Sequence, residues 1–317
     1  MSPADFVQFT MKFGSLPNVE SESSKPMRST ERKMKKVPNG AVRKTAKSAA
    51  KIDSEEALGE ISDSQDERLD AVDALVDELE ACARLSLEQG DADGALQNVK
   101  KAIEQLDGRQ GRLGKLGKLH ALLGAVYDKT GNPQGTVSAW TTAVDLFEKN
   151  DPPLLMCVAG ISNNLGYMAK RSGDFNAAED HFLKAVKIMI AELGEKNEKT
   201  ALVCNNLGEL YLATGYPDQA REAHMMALEA RYEIFGESHP DTAQSHNNLA
   251  LALLKLGERI PAKRHFEKSL TGFGSLGQEY AYDFEAVVSN YREFLEEDDS
   301  DLSEEMSTRV RALLGKG

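Results

Sequence analysis

The chain has 317 residues and a formal net charge of −13, with 41% hydrophobic and 28% charged residues, an ordinary balance for a soluble protein. No apolar run approaches the ~20 residues that cross a bilayer, and the first residues lack the apolar core of a secretory signal. Cys82, Cys157 and Cys204 form no CxxC pair, which predicts reduced thiols in a reducing compartment, and the six histidines show no metal-ligand spacing.

The charge is uneven along the chain. Residues 1–52 hold eleven Lys/Arg against four Asp/Glu, a net of +7; the remainder, with 27 against 47, has a net of −20. Residues 1–60 are rich in Ser, Lys and Pro and show little periodicity after Phe13. Such a segment buries too little apolar area to offset its ordering entropy, so a disordered basic arm is predicted. Its clusters KMKKV (33–37) and RKTAK (43–47) fit a solubilising tail, a nuclear import signal, or contact with an acidic partner, a membrane surface or nucleic acid. Asp5, Glu20, Glu22 and Glu31 count against an organelle transit peptide, and the lack of interleaved aromatics counts against base recognition.

From about Glu67 the pattern turns helical, with Leu69, Val72, Leu75, Val76, Leu79 and Ala83 at steps of three and four. The chain then repeats itself. Gly131, Gly173, Gly215 and Gly257 are spaced 42 residues apart, as are Gly124, Gly166, Gly208 and Ala250, and Ala143, Ala185, Ala227 and Ser269. A degenerate copy around Gly90, Ala95, Val99 and Ala102 makes about five copies, and a fixed period of this length marks a solenoid. Each copy reads as a helical hairpin. The first helix carries an apolar stripe such as Leu207, Leu210 and Tyr211, and Gly215 suits its end. The second alternates small and bulky residues, as in Thr136, Trp140, Ala143 or Ala178, Phe182, Ala185, which interlocks two helices at short range. Trp140 is therefore a core residue rather than a site.

On these recurring residues the chain resembles the tetratricopeptide repeat family over about two-thirds of its length. The links GEKNEKTALVCNNLG (194–208) and GESHPDTAQSHNNLA (236–250), with the 42-residue period, are similar to the longer repeats of kinesin light chains. Residues 67–89 give at most about three heptads, too few for the long coiled coil by which those proteins hold their motor. The resemblance implies an all-α, right-handed superhelical solenoid of helix-turn-helix repeats over 67–277, preceded by the arm at 1–60. It is followed at 278–317 by capping helices (Phe284 to Leu295, then Met306, Val310 and Leu314) around an acidic hinge, EEDDSD.

The segment GRQGRLGKLGK (108–118) invites a phosphate-loop reading. A Walker loop needs GxxxxGK followed by Ser or Thr, whereas Leu follows each Gly-Lys pair here and no strand precedes it. The segment reads instead as a flexible basic connection. No nucleophile–base pair or paired carboxylates stand in a pocket setting, so a non-enzyme without cofactor or metal is expected.

Three near-copies, SNNLGYMAKRSG (162–173), CNNLGELYLATG (204–215) and HNNLALALLKLG (246–257), raise the functional question. Asparagine lies roughly half a kcal/mol below alanine in helix propensity, so Asn163, Asn164, Asn205, Asn206, Asn247 and Asn248 need a reason. The resemblance implies that first helices line a concave groove, where an amide can bond the backbone of an extended peptide. Arg171 and Lys255, with Lys129 in an earlier copy, stand two turns further on and would suit a peptide bearing carboxylates. Two other readings fit equally: the asparagines bond each other between repeats, and the three cations stabilise helix ends by roughly 0.3–1 kcal/mol. The two-carboxylate clamp of chaperone-binding relatives is disfavoured, because Gly160, Leu202 and Gln244 occupy the place of its lysine. The expected function is an adaptor or scaffold holding a protein segment in the groove. The alternatives are a structural component assembling through convex or end surfaces, and a polyanion tether acting through the basic arm. A cytoplasmic location follows, or the nucleus or an organelle if the arm is a targeting signal.

Overall fold

The computed structural model describes residues 65–296, apart from 107, 109 and 110. The basic arm at 1–60, Arg109 of the glycine-rich segment and the predicted helix with Met306, Val310 and Leu314 lie outside these residues. Every regular element among the described residues is helical. In chain order these are α1 (Gln65–Gln89), α2 (Ala92–Leu106), α3 (Leu113–Lys129), α4 (Pro133–Lys149), α5 (Leu155–Ser172) and α6 (Phe175–Leu193). They continue with α7 (Glu198–Thr214), α8 (Pro217–Phe235), α9 (Pro240–Lys255), α10 (Arg259–Gly274), a 3₁₀ turn (Gln278–Tyr280) and α11 (Ala281–Glu296). The helices pair as hairpins in a helical solenoid. They form two compact units divided within α5, between Asn164 and Leu165.

In the first unit, Val72, Val76, Ala83 and Leu87 of α1 pack with Val99, Ala102 and Leu106 of α2 and with Leu119, Leu122 and Val126 of α3. The hairpin α3/α4 shows how the small residues act. Gly117 and Gly124, two turns apart on α3, face Phe147 and Trp140, two turns apart on α4, and a Cβ on either glycine would run into those rings. Trp140 is 2% exposed, and its indole N–H donates to the Ala121 carbonyl at 3.1 Å.

This corrects the reading of 108–118 as a flexible connection. From Leu113 the segment is the first part of α3, and Gly117 is a packing residue. Two of its cations are held by α1: Arg112 Nη2 lies 2.7 Å from Asp73, and Lys115 Nζ 2.7 Å from Asp77.

In the second unit the same register continues. Gly166 receives the Phe182 ring and Gly208 the His224 ring, while Ala250 shares a core cluster with Phe266. Gly215, at φ 81°, closes α7 in the left-handed region, with its N–H and that of Tyr216 returning to the Leu212 and Tyr211 carbonyls. Helix α11 packs Phe284, Val287, Val288 and Tyr291 against Phe266, Leu270 and Phe273 of α10. Asn290 stands 42 residues after Asn248, so α11 holds the register of one more first helix. Arg292 occupies the place of Gly124, Gly166, Gly208 and Ala250, where a small residue would admit a second helix.

Candidate functional site

The first helices of the second unit touch one another in sequence order, α7 with α9 and α9 with α11. Along this contact the amides form a chain. Asn248 Nδ2 donates to Asn205 Oδ1 at 2.8 Å, and Asn290 Nδ2 donates to Asn247 Oδ1 at 3.1 Å. Within α9, Asn247 Nδ2 and Gln244 Nε2 both donate to Asn248 Oδ1, at 3.3 and 2.8 Å. On α7, Asn205 Nδ2 donates to Glu209, whose carboxylate also takes Lys170 Nζ from α5 at 2.9 Å. The rule is simple: the second asparagine of one first helix reaches the first asparagine of the preceding one, 43 residues back.

This geometry separates the predicted site residues into two environments. Asn205, Asn247 and Asn248 are buried within the chain of amides, and Asn206 is half-buried beside them. Asn163 and Asn164 are buried at the end of the first unit, with Asn163 Nδ2 3.5 Å from Asn164 Oδ1. The cations are exposed at helix ends: Lys129 closes α3, Lys255 closes α9, and Arg171, next to last in α5, lies over its own helix's Tyr167 ring at 5.9 Å. Lys129 belongs to the first unit, Arg171 and Lys255 to the second.

Several polar residues were missed in the sequence. Asn290 carried a signal, its place 42 residues after Asn248; Gln244 and Glu209 carried none. His224 also had one, standing 42 residues from both Phe182 and Phe266. Its ring is fully buried on Gly208, and burial, then Arg231 and Lys170, push its pKa down to about 4, so it is neutral. Arg231, itself buried, ties α8 to α9 by donating from Nη1 to Ser245 Oγ at 2.8 Å and to the Asp241 carbonyl at 3.2 Å.

Burial pushes the Cys157 and Cys204 thiols up to about 11, which holds them protonated at neutral pH. Among the described residues no group of three or more His, Cys, Asp or Glu side chains is placed to hold a metal, and no helix is long and apolar enough to cross a membrane.

The hairpins, their interlocking register and the first-helix contacts of the second unit define a helical-repeat protein. The tetratricopeptide repeat family model matches residues 157–233 and 205–274, so this stretch carries tetratricopeptide repeats. Among solved structures, the fold is similar to BtubC (BKLC) from P. vanneervenii, at 20% identity over 75% of this chain and 91% of that one, with a TM-score of 0.59. It is similar also to a putative kinesin light chain from P. anserina with nearly identical tetratricopeptide-like repeats (16% identity, 61% and 92% covered, TM-score 0.51). A third likeness is to pilF of Pseudomonas aeruginosa (18%, 78% and 95%, 0.53). At these identities the likeness concerns the fold. No curated protein matches the chain in sequence. Tetratricopeptide repeats in general mediate protein–protein interaction.

Proposed function

We propose that this chain is a non-catalytic adaptor or scaffold that binds a peptide or protein segment along its first helices. The observation that carries the proposal is the amide chain of α7, α9 and α11. Buried amides are costly unless bonded, and here they bond each other across repeats. The half-buried members, Gln244 and Asn290, are thereby held in fixed positions at the edge of the chain, and Asn206 stands half-buried beside them. Fixed amides can donate to and accept from the backbone of an extended segment without a large ordering penalty. In this reading Asn205, Asn247 and Asn248 support the site from below. Asn163 and Asn164 play the same part in their own unit. Arg171, Lys255 and Lys129, exposed where first helices end, favour a ligand with carboxylates. Protonated, buried thiols agree with a cytoplasmic protein.

Peptide-display selection on the full chain tests the proposal. Selected peptides should bind at least tenfold more weakly to the double variant Asn206→Ala, Gln244→Ala, with helix content unchanged and the chain fully folded at the assay temperature. Peptides that bind this variant as well as the parent would remove the first helices from the interaction.

A further inference from the structure

The second unit also contains a pocket of about 260 Å³ that shares no residue with the amide chain. Its walls come from the start of α6 (Phe175, Glu179), the end of α7 (Tyr211) and the start of α8 (Tyr216, Gln219). Phe175 and Tyr216 are 42% and 55% exposed, unusual for large rings that have a core within reach. Tyr211 and Tyr216 meet edge to face with centroids 6.5 Å apart. The Tyr211 hydroxyl donates to Glu179 Oε1 at 2.8 Å, which fixes the carboxylate among the rings. Among the described residues Glu179 forms no ion pair.

Two comparisons within the repeat mark this pocket as a departure. Tyr216 stands where Asn132 and Asp174 cap the neighbouring second helices through their side chains, yet Tyr216 makes no capping bond. A favourable cap is forgone for an exposed ring. Shifting Glu179 and Tyr216 by one repeat gives Arg221 and Glu258, and there Arg221 Nη1 lies 2.8 Å from Glu258. One repeat on, therefore, an ion pair internal to the chain stands in the corresponding place, with its guanidinium at the register of Glu179 and its carboxylate at that of Tyr216. At Glu179 the chain supplies the carboxylate and the rings and leaves the cation to be brought in.

We propose that this pocket binds an arginine side chain carried by a basic segment of a partner protein. The planar guanidinium suits both walls, stacking on the Tyr216 or Phe175 ring while pairing with Glu179, which the compact, strongly hydrated ammonium of lysine does less well. The occupant is a cation because the pocket and the body around it are acidic. The site uses different residues from the proposed first-helix face and takes the opposite charge, so either can fail alone.

The test is a ligand-observed NMR titration of the full chain with the peptide acetyl-Gly-Gly-Arg-Gly-Gly-amide. Saturable binding is expected, several-fold weaker for the lysine counterpart and absent for an all-glycine one. Glu179→Gln and Tyr216→Asn should each weaken it at least tenfold, while Glu192→Gln leaves it unchanged. Tyr216→Asn introduces the residue type that caps α4, so a loss there is not a loss of fold. Absence of saturable binding, equal binding to the two pocket variants, or equal binding of the arginine and lysine peptides would overturn the proposal. So would self-association of the chain that Glu179→Gln abolishes, since it would seat a second copy in the pocket.

Discussion

Hairpins α3/α4 and α7/α8 stand two repeats apart and share one backbone plan, but they differ in the same two places. In the first, Trp140 covers Gly124 with its N–H bonded to the Ala121 carbonyl, and Asn132 caps α4 by accepting from the Gly135 N–H at 2.9 Å. In the second, His224 covers Gly208 with neither ring nitrogen bonded among the described residues, and Tyr216 occupies the cap position without capping. The contact between glycine and ring is thus a requirement of shape that a tryptophan, a phenylalanine or a neutral imidazole can meet. Polarity is free to vary within that shape, and its consequences appear in stability and in its dependence on pH.

Truncating the two rings should show the largest difference. Trp140→Ala leaves a cavity the size of an indole under Gly124 and should destabilise the chain by about 3–5 kcal/mol. His224→Ala, removing a smaller and poorly satisfied ring, should lower stability much less. Denaturant unfolding followed by circular dichroism reads both, and equal losses would break the comparison.

The second difference is one of pH. The folded-state pKa of His224 is about 4 against 6.5 in the unfolded chain, so between those values the unfolded state binds a proton that the native state refuses. The contribution is complete above pH 6.5, falls as pH drops toward 4, and is on the order of 3 kcal/mol in all. His224→Phe, which puts the ring of Phe182 and Phe266 at the same register, should flatten that part of the stability profile. A remainder will persist, because His246, 2.8 Å from His265, is likewise held down to about 4, and His265 is lowered too. A profile unchanged by His224→Phe would place the pH dependence elsewhere.

Much of this frame is legible in the sequence, for a physical reason. Close helix contact requires a small residue on one helix and a bulky one on the other, and both requirements recur every 42 residues. His224 escaped notice because histidine is not read as a core aromatic, although its register pointed there. Gly117 was hidden for the opposite reason. Three glycines among basic residues suggest a loop, yet contact with Phe147 outweighs their low helix propensity. The asparagines stand out by their misfit in a helix, but which atoms they bond depends on the stagger of neighbouring helices. Their partners lie 43 residues apart, one more than the repeat, and only the structure supplies that offset.

The amide chain gives a third, intermediate effect. Asn248 bonds Asn205, Asn247 and Gln244, so Asn248→Ala strands three polar groups, two of them buried, and should destabilise the chain by about 1–3 kcal/mol. Asn206→Ala, at a half-buried site, should do less. Hydrogen exchange of α9 amides reads both, and equal protection in the two variants would show that the inter-repeat bond contributes nothing.

The smallest effect has the opposite sign. Tyr216 has φ −111° and ψ 69°, close to the −107° and 81° of Asn132, and Pro217 follows it as Pro133 follows Asn132. An asparagine at 216 would therefore find the backbone already shaped for a cap, with the Gln219 N–H standing where the Gly135 N–H stands. Tyr216→Asn should add about 1 kcal/mol of stability, less whatever the Tyr211–Tyr216 ring contact contributes. A raised melting temperature together with lost arginine-peptide binding would mean that the tyrosine is kept for recognition at a cost in stability. A lowered melting temperature would mean that its ring stabilises the turn more than a cap would, and the hairpins would then differ in how they close α7 and α3 rather than in what they bind.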